Sequence, residues 1–163
     1  MEGAMRTRSL SPATRAWLAV AAWVAVILIF SGAEFSSAST SRILEPLLRW
    51  LFPEIGPATI YAVHLWVRKG AHVTEYAVLG LLAFRAFRLS LAISVPRTAL
   101  LGLAVVLGVA AADEFRQSFV PSRTGALSDV GFDLAGGVLG VCLVIAAHRA
   151  AGIGAPAPAE PPW

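Results

Sequence analysis

Four stretches of this chain are apolar for long enough to cross a membrane as helices, and short polar segments separate them. Residues 16–33 carry no charged side chain. At about 1.5 Å per residue they make about 27 Å of helix, close to the hydrocarbon thickness of a bilayer. The run also has the outline of a signal peptide. Arg6, Arg8 and Arg15 precede it, and Ser31 and Ala33 are placed like a small-residue cleavage site. It is longer than a usual signal core and more apolar stretches follow, so an uncleaved span is the favoured reading. Residues 34–57 open with Ser36, Ser37, Ser39 and Ser41. Ile43, Leu44, Leu47, Leu48, Leu51 and Phe52 then recur at helical spacing among Arg42, Glu45 and Arg49. That pattern predicts a short amphipathic helix on the membrane surface, ended by Pro53 and Pro57. Residues 58–87 predict a long helix, bent near Gly70. Its first part stands in or above the interface, and its span proper runs over about 70–87. Residues 90–97, with Pro96, read as a turn. A third span follows over 98–119, a turn over 121–125, and a fourth span over 126–147, ending at His148 and Arg149. No internal repeat is visible.

The expected fold is therefore an all-α membrane protein: a bundle of four transmembrane helices plus a short extracytoplasmic amphipathic helix. Residues 1–15 form an N-terminal cytoplasmic segment, 16–149 the transmembrane domain, and 150–163 a disordered Ala/Pro-rich tail. Composition agrees. Hydrophobic residues make up 57% of the 163 and charged residues only 14%, where a soluble domain carries roughly a quarter charged. An ordinary soluble globule is excluded, and the length excludes a large transporter. The net charge of +3 is scattered without a basic run, which gives nucleic-acid binding no support. Cys142, the single cysteine, excludes an intrachain disulfide and any cysteine-based zinc site. Arg6, Arg8, Arg15, Arg85, Arg88, Arg97 and Arg149 all fall at one end of the expected bundle. The positive-inside rule puts that end, with both termini, in the cytoplasm. Trp50 and Trp66 read as anchors at the opposite interface.

Depth brings the candidate chemistry together. His72 lies 13 residues before Arg85, Asp113 lies 16 beyond Arg97, and Asp133 lies 16 before Arg149. Each is about 20–24 Å from the inner face, so three helices bring ionisable groups to one level near the outer edge of the hydrocarbon. Isolated charges there cost several kcal/mol each and are tolerated only when they face one another or water. At about 100° per residue, Lys69, His72 and Tyr76 share one helix face, with Glu75 at its edge. Asp113, Glu114 and Gln117 cluster on the third span. Asp129, Asp133, Gly136 and Gly140 form one stripe on the fourth, with two carboxylates above a small-residue surface that lets another helix approach. Glu75, Asp113, Glu114, Asp129 and Asp133 are nearly balanced by Arg68, Lys69, Arg116 and Arg123, as a low-dielectric cluster requires. Lys69 is expected to pair with Glu114, and Arg123 to close the cluster from above.

Lys69-Gly-Ala-His72-Val-Thr-Glu75-Tyr76-Ala-Val-Leu79 resembles the K-x-x-H-x-x-x-Y-x-x-L signature of VanZ-like proteins. Asp113-Glu114-Phe-Arg-Gln117, Pro121-Ser-Arg123, Asp129, Asp133 and Gly136 resemble that family's D-E-x-x-Q … P-x-R … D-x-x-x-D-x-x-G run. Val73 stands where family members commonly have Phe or Leu. The resemblance covers roughly residues 16–147 and implies a multi-pass protein of the bacterial plasma membrane and cell envelope. The family is named for a protein associated with resistance to the glycopeptide antibiotic teicoplanin. Its biochemical activity is not settled, so the resemblance implies architecture and site residues more than mechanism.

Four readings of the polar residues compete. His72 with Glu75 could ligate a metal, but di-metal bundles use two such helix pairs and one histidine stands at this level; no metal and no cofactor is expected. An intramembrane hydrolase or transferase acting on a lipid or lipid-linked cell-wall substrate has acid–base candidates in His72 and Glu114. It has no evident nucleophile, since Ser122 and Ser128 lack a nucleophile-elbow context. A purely structural network would hold the helices in register. The favoured reading is a polar pocket near the outer leaflet, built from Lys69, His72, Glu75, Tyr76, Asp113, Glu114, Gln117, Arg123, Asp129 and Asp133. It would bind an amphiphilic ligand: a lipid, a lipid-linked cell-wall intermediate or a lipoglycopeptide.

Overall fold

The computed structural model describes residues 10–32, 37–119 and 127–151, and every regular element among them is a helix. Helix α1 spans Pro12–Phe30. It starts ahead of the uncharged run because Ser11 caps it, its hydroxyl accepting from the Thr14 amide at 3.0 Å, and Pro12 supplies a preset φ where no intrahelical donor is needed. Helix α2 spans Ser37–Leu51. It is longer than the apolar spacing alone predicts, taking in part of the serine-rich stretch and carrying Pro46 inside it. Helix α3 spans Pro57–Ser90, about 51 Å of continuous helix. It runs unbroken through Gly70, where an added Cβ would meet nothing within 4 Å. A four-residue link, tied by the Arg88 guanidinium donating to the Ile93 carbonyl at 2.8 Å, leads to α4 at Val95–Gln117. Pro96 sits in the first turn of α4 rather than in the preceding turn, the helical position proline tolerates best. Helix α5 spans Leu127–Ala150.

Helix α3 is the hub of the molecule, contacting each of the other four. Helix α1 runs antiparallel to it. Trp17 Nε1 donates to Ser90 Oγ at 3.0 Å near one end, and Trp23 Nε1 donates to the Glu75 carbonyl at 2.8 Å further along. The α3–α5 pair is the most extensive contact, and the two helices run parallel. Lys69 meets Asp129, His72 meets Asp133, Val73 meets Gly136, and Ala77 meets Gly140. Glycine makes this approach possible. A Cβ at Gly80 would come within 2.5 Å of the Gly137 carbonyl oxygen, and Cβ atoms at Gly136 and Gly140 would collide with the carbonyl oxygens of Val73 and Ala77. Side chains at these positions would hold the backbones apart.

Tyr76, Leu79, Val106 and Ala110 fill the centre with Val20 and Ile27 of α1. Phe84, Val141 and Val144 form a smaller cluster. Large apolar side chains also cover the outside, among them Leu18, Ile29, Leu100, Leu107 and Leu143. An aqueous surface rarely carries so many of them. Three helical segments, Pro12–Phe30, Val95–Gln117 and Asp129–Ala150, are long and apolar enough to cross a membrane. Helix α3 has the length, but Arg68, Lys69, His72 and Glu75 interrupt its apolar sequence.

Candidate functional site

The polar side chains gather where α1 and α4 end and α5 begins. Two sub-networks form there, with Tyr76 between them. The first lies on the α3–α5 seam. Lys69 Nζ donates to Asp129 Oδ1 at 3.0 Å and stands 3.9 Å from the centre of the Phe132 ring. Arg68 approaches the other oxygen of Asp129 at 3.6 Å. One turn deeper, His72 Nδ1 lies 3.0 Å from Asp133 Oδ1. The parallel crossing explains the pairing. A three-residue step on α3 and a four-residue step on α5 each return a side chain to the shared face.

The second network joins α1 to α4. Gln117 Nε2 donates to Asp113 Oδ2 at 2.7 Å and to Ser31 Oγ at 2.8 Å. The Ser31 hydroxyl closes the ring by donating to Asp113 Oδ1 at 2.5 Å. Arg116 adds 3.2 Å and 2.7 Å contacts, to Asp113 Oδ1 and to the Leu28 carbonyl. In this last bond the guanidinium donates to one of the carbonyls that the end of α1 leaves without an intrahelical donor. Asp113 and Gln117 are each 1% exposed and Asp133 is 0% exposed. These partners are therefore what makes the polar groups tolerable at that depth.

Tyr76 is also 0% exposed. Its ring stacks on His72 at 6.5 Å, and Asp133, Asp113, Glu75 and Glu114 all lie within electrostatic reach of its hydroxyl. Among the described residues, Tyr76 Oη, Asp133 Oδ2 and Gln117 Oε1 are buried here without a hydrogen-bond partner.

The fold thus brings Lys69, His72, Tyr76, Asp113, Gln117, Asp129 and Asp133 into the two networks. Glu114 is buried close by, and Glu75 lies at the edge, its carbonyl taken by Trp23. Lys69 has its ammonium on Asp129, where the sequence led us to expect Glu114. Arg123 lies outside the described residues. Ser31 is the member that sequence reasoning missed. It ends the first span at the level of Asp113 and Gln117, so extending the depth count from charges to hydroxyls finds it. Among the described residues no group of three His, Cys, Asp or Glu side chains is arranged to hold a metal ion.

An apolar-coated helical bundle with a paired charge cluster buried toward one end is consistent with a membrane protein. The family model described as VanZ/LLP1 matches residues 16–148, and the chain belongs to that family. No curated protein and no solved structure matches it.

Proposed function

We propose that the chain is a four-span protein of the bacterial plasma membrane that binds the polar head of an amphiphilic ligand at the cluster around Tyr76. Helix α3 is the second span. Its charges do not bar it from the bilayer, because Lys69 and His72 turn toward α5 and are paired there. The cluster then lies near the outer leaflet. The observation that carries the binding reading is the unused hydrogen-bonding capacity of Tyr76 Oη, Asp133 Oδ2 and Gln117 Oε1. A network serving only to hold helices together would be expected to satisfy its buried members, since each unsatisfied group costs about 1–3 kcal/mol. Lys69 with its aromatic neighbour Phe132 suits an anionic or sugar-bearing head, and the apolar helix faces suit its tail. Lipids, lipid-linked cell-wall intermediates and lipoglycopeptides share that chemistry. Reduced susceptibility to a teicoplanin-type antibiotic is a consequence of binding the last two.

The test is mass spectrometry of lipids retained after gentle purification, comparing wild type with Lys69→Met. That change leaves Arg68 and Asp129 as a one-to-one pair with no stranded charge, so the variant is expected to stay folded and lose the retained species. Equal retention in a stable Lys69→Met variant overturns the reading. One observation favours a second reading, an intramembrane enzyme acting on a lipid or lipid-linked cell-wall substrate. Asp133 is sealed while the His72 side chain keeps 12% exposure. A carboxylate thus orients an imidazole with accessible surface left over, as in a general base. Under that reading His72→Gln preserves binding and abolishes turnover of the retained lipid.

A further inference from the structure

At the opposite end of the bundle, Arg15 and Arg85 line a cavity of about 390 Å³ between α1 and α3. We infer that this cavity holds the phosphate of an anionic phospholipid between the two guanidiniums, at a site separate from the cluster around Tyr76. Pro12, Ala16, Ala19, Leu81 and Leu82 complete its lining. The volume falls in the roughly 300–1,000 Å³ range of small-molecule sites. Charge separates it from an ordinary crevice between helices. Arg49, Arg68, Arg88 and Arg116 each have a carboxylate or carbonyl to bind. Arg15 and Arg85 have neither among the described residues and remain exposed. Two cations on separate helices line one groove with no acid in its lining, so a phosphate there would take charge-assisted hydrogen bonds from both.

Depth selects a lipid as the source of that anion. Trp17 and Phe87 lie two residues further along the chain from Arg15 and Arg85. They meet edge to face at 5.0 Å, and Trp17 Nε1 bonds Ser90 Oγ. A tryptophan with its indole N–H satisfied beside two arginines marks headgroup level. Exposed Ala19 and the apolar side chains of Leu81 and Leu82 give an acyl chain a path alongside the bundle. A basic groove between helices at this level is the kind of surface that takes acidic phospholipids.

The test uses the full chain in detergent, stripped of lipid and titrated separately with phosphatidylglycerol, phosphatidylcholine and free glycerol phosphate. Binding is read by native mass spectrometry. Wild type is expected to take up phosphatidylglycerol at least tenfold more tightly than phosphatidylcholine. Arg15→Gln/Arg85→Gln is expected to lose that preference, because each charge-assisted bond to phosphate is worth about a factor of ten. Ala19→Trp keeps both charges and fills the groove from its exposed rim, and it is expected to lose the preference as well. No preference in wild type overturns the inference. So does a preference that survives in both folded variants, which would place the lipid elsewhere. Glycerol phosphate binding as tightly as the lipid would make the groove a free-anion site and overturn the lipid assignment.

Discussion

Among the described glycines, Gly140 leaves the least room for a side chain against a facing backbone. A methyl group there would collide with the Ala77 carbonyl oxygen, a backbone atom that cannot rotate away, so α5 itself would have to move. Gly140→Ala is therefore expected to cost about 1–3 kcal/mol, the usual range for overpacking. Gly108 and Gly131 give the contrast, because a Cβ at either would meet nothing within 4 Å. Alanine there is expected to be neutral or stabilising by up to about 1 kcal/mol through helix propensity. Thermal unfolding in detergent compares the three, and equal melting of Gly140→Ala and Gly131→Ala would contradict the tight crossing. Ser31 carries a different residue-scale prediction. Its hydroxyl donates to Asp113 and accepts from Gln117. Ser31→Ala removes almost no volume but leaves both partners short of a bond, at an expected cost of about 1–3 kcal/mol. Ser31→Thr keeps the hydroxyl and should retain most of that stability.

Between helices, the parallel α3–α5 seam divides into a charged part, where Lys69 and Arg68 share Asp129 and His72 meets Asp133, and a glycine part beyond it. The sharing of Asp129 makes its two sides unequal. Lys69→Met leaves a one-to-one pair between Arg68 and Asp129. Asp129→Asn leaves two adjacent, partly buried cations without their counter-charge. The aspartate change is expected to be the more damaging, by about 1–2 kcal/mol, because a stranded charge costs more than a lost attraction. Denaturation of the two single variants checks the order, and a larger loss for Lys69→Met would refute the sharing. Much at this scale was legible beforehand. Helical spacing put Asp129, Asp133, Gly136 and Gly140 on one face, and residue depth put His72, Asp113 and Asp133 at one level. What spacing could not supply was which faces meet. Lys69 faces α5 rather than Glu114 because α3 and α5 cross at the glycines, a property of two helices together. Helix starts were also hidden. Ser11 caps α1 ahead of its apolar run, and Pro96 falls in the first turn of α4, where its preset φ suits helix entry. The length of α2 and its internal Pro46 had no counterpart in the apolar pattern.

For the whole molecule, the two ends differ in how their basic residues are used. Counted in sequence, the arginines and lysine are spread nearly evenly between the ends, which weakens the positive-inside argument. Pairing restores it. At the end that holds the cluster, Arg49 is bound to Glu45, Arg68 and Lys69 to Asp129, and Arg116 to Asp113, which leaves Arg42 without a carboxylate among the described residues. At the other end Arg15, Arg85, Arg97 and Arg149 have no carboxylate among the described residues, and Arg88 is held only by a carbonyl. Most of the uncompensated positive charge of the described residues therefore sits with the N-terminus of α1, the α3–α4 link and the C-terminus of α5, and that end is expected in the cytoplasm. Cysteine labelling in intact cells tests it. Cys142 is exposed, so the background carries Cys142→Ser. Glu54→Cys, in the exposed link between α2 and α3, should react with a membrane-impermeant maleimide from outside. Ser94→Cys, in the α3–α4 link, should react only after permeabilisation. The reverse pattern would invert the protein and put the cluster around Tyr76 at the inner leaflet. Labelling of both positions from outside would mean that α3 does not cross, leaving three spans and the two ends of the chain on opposite sides.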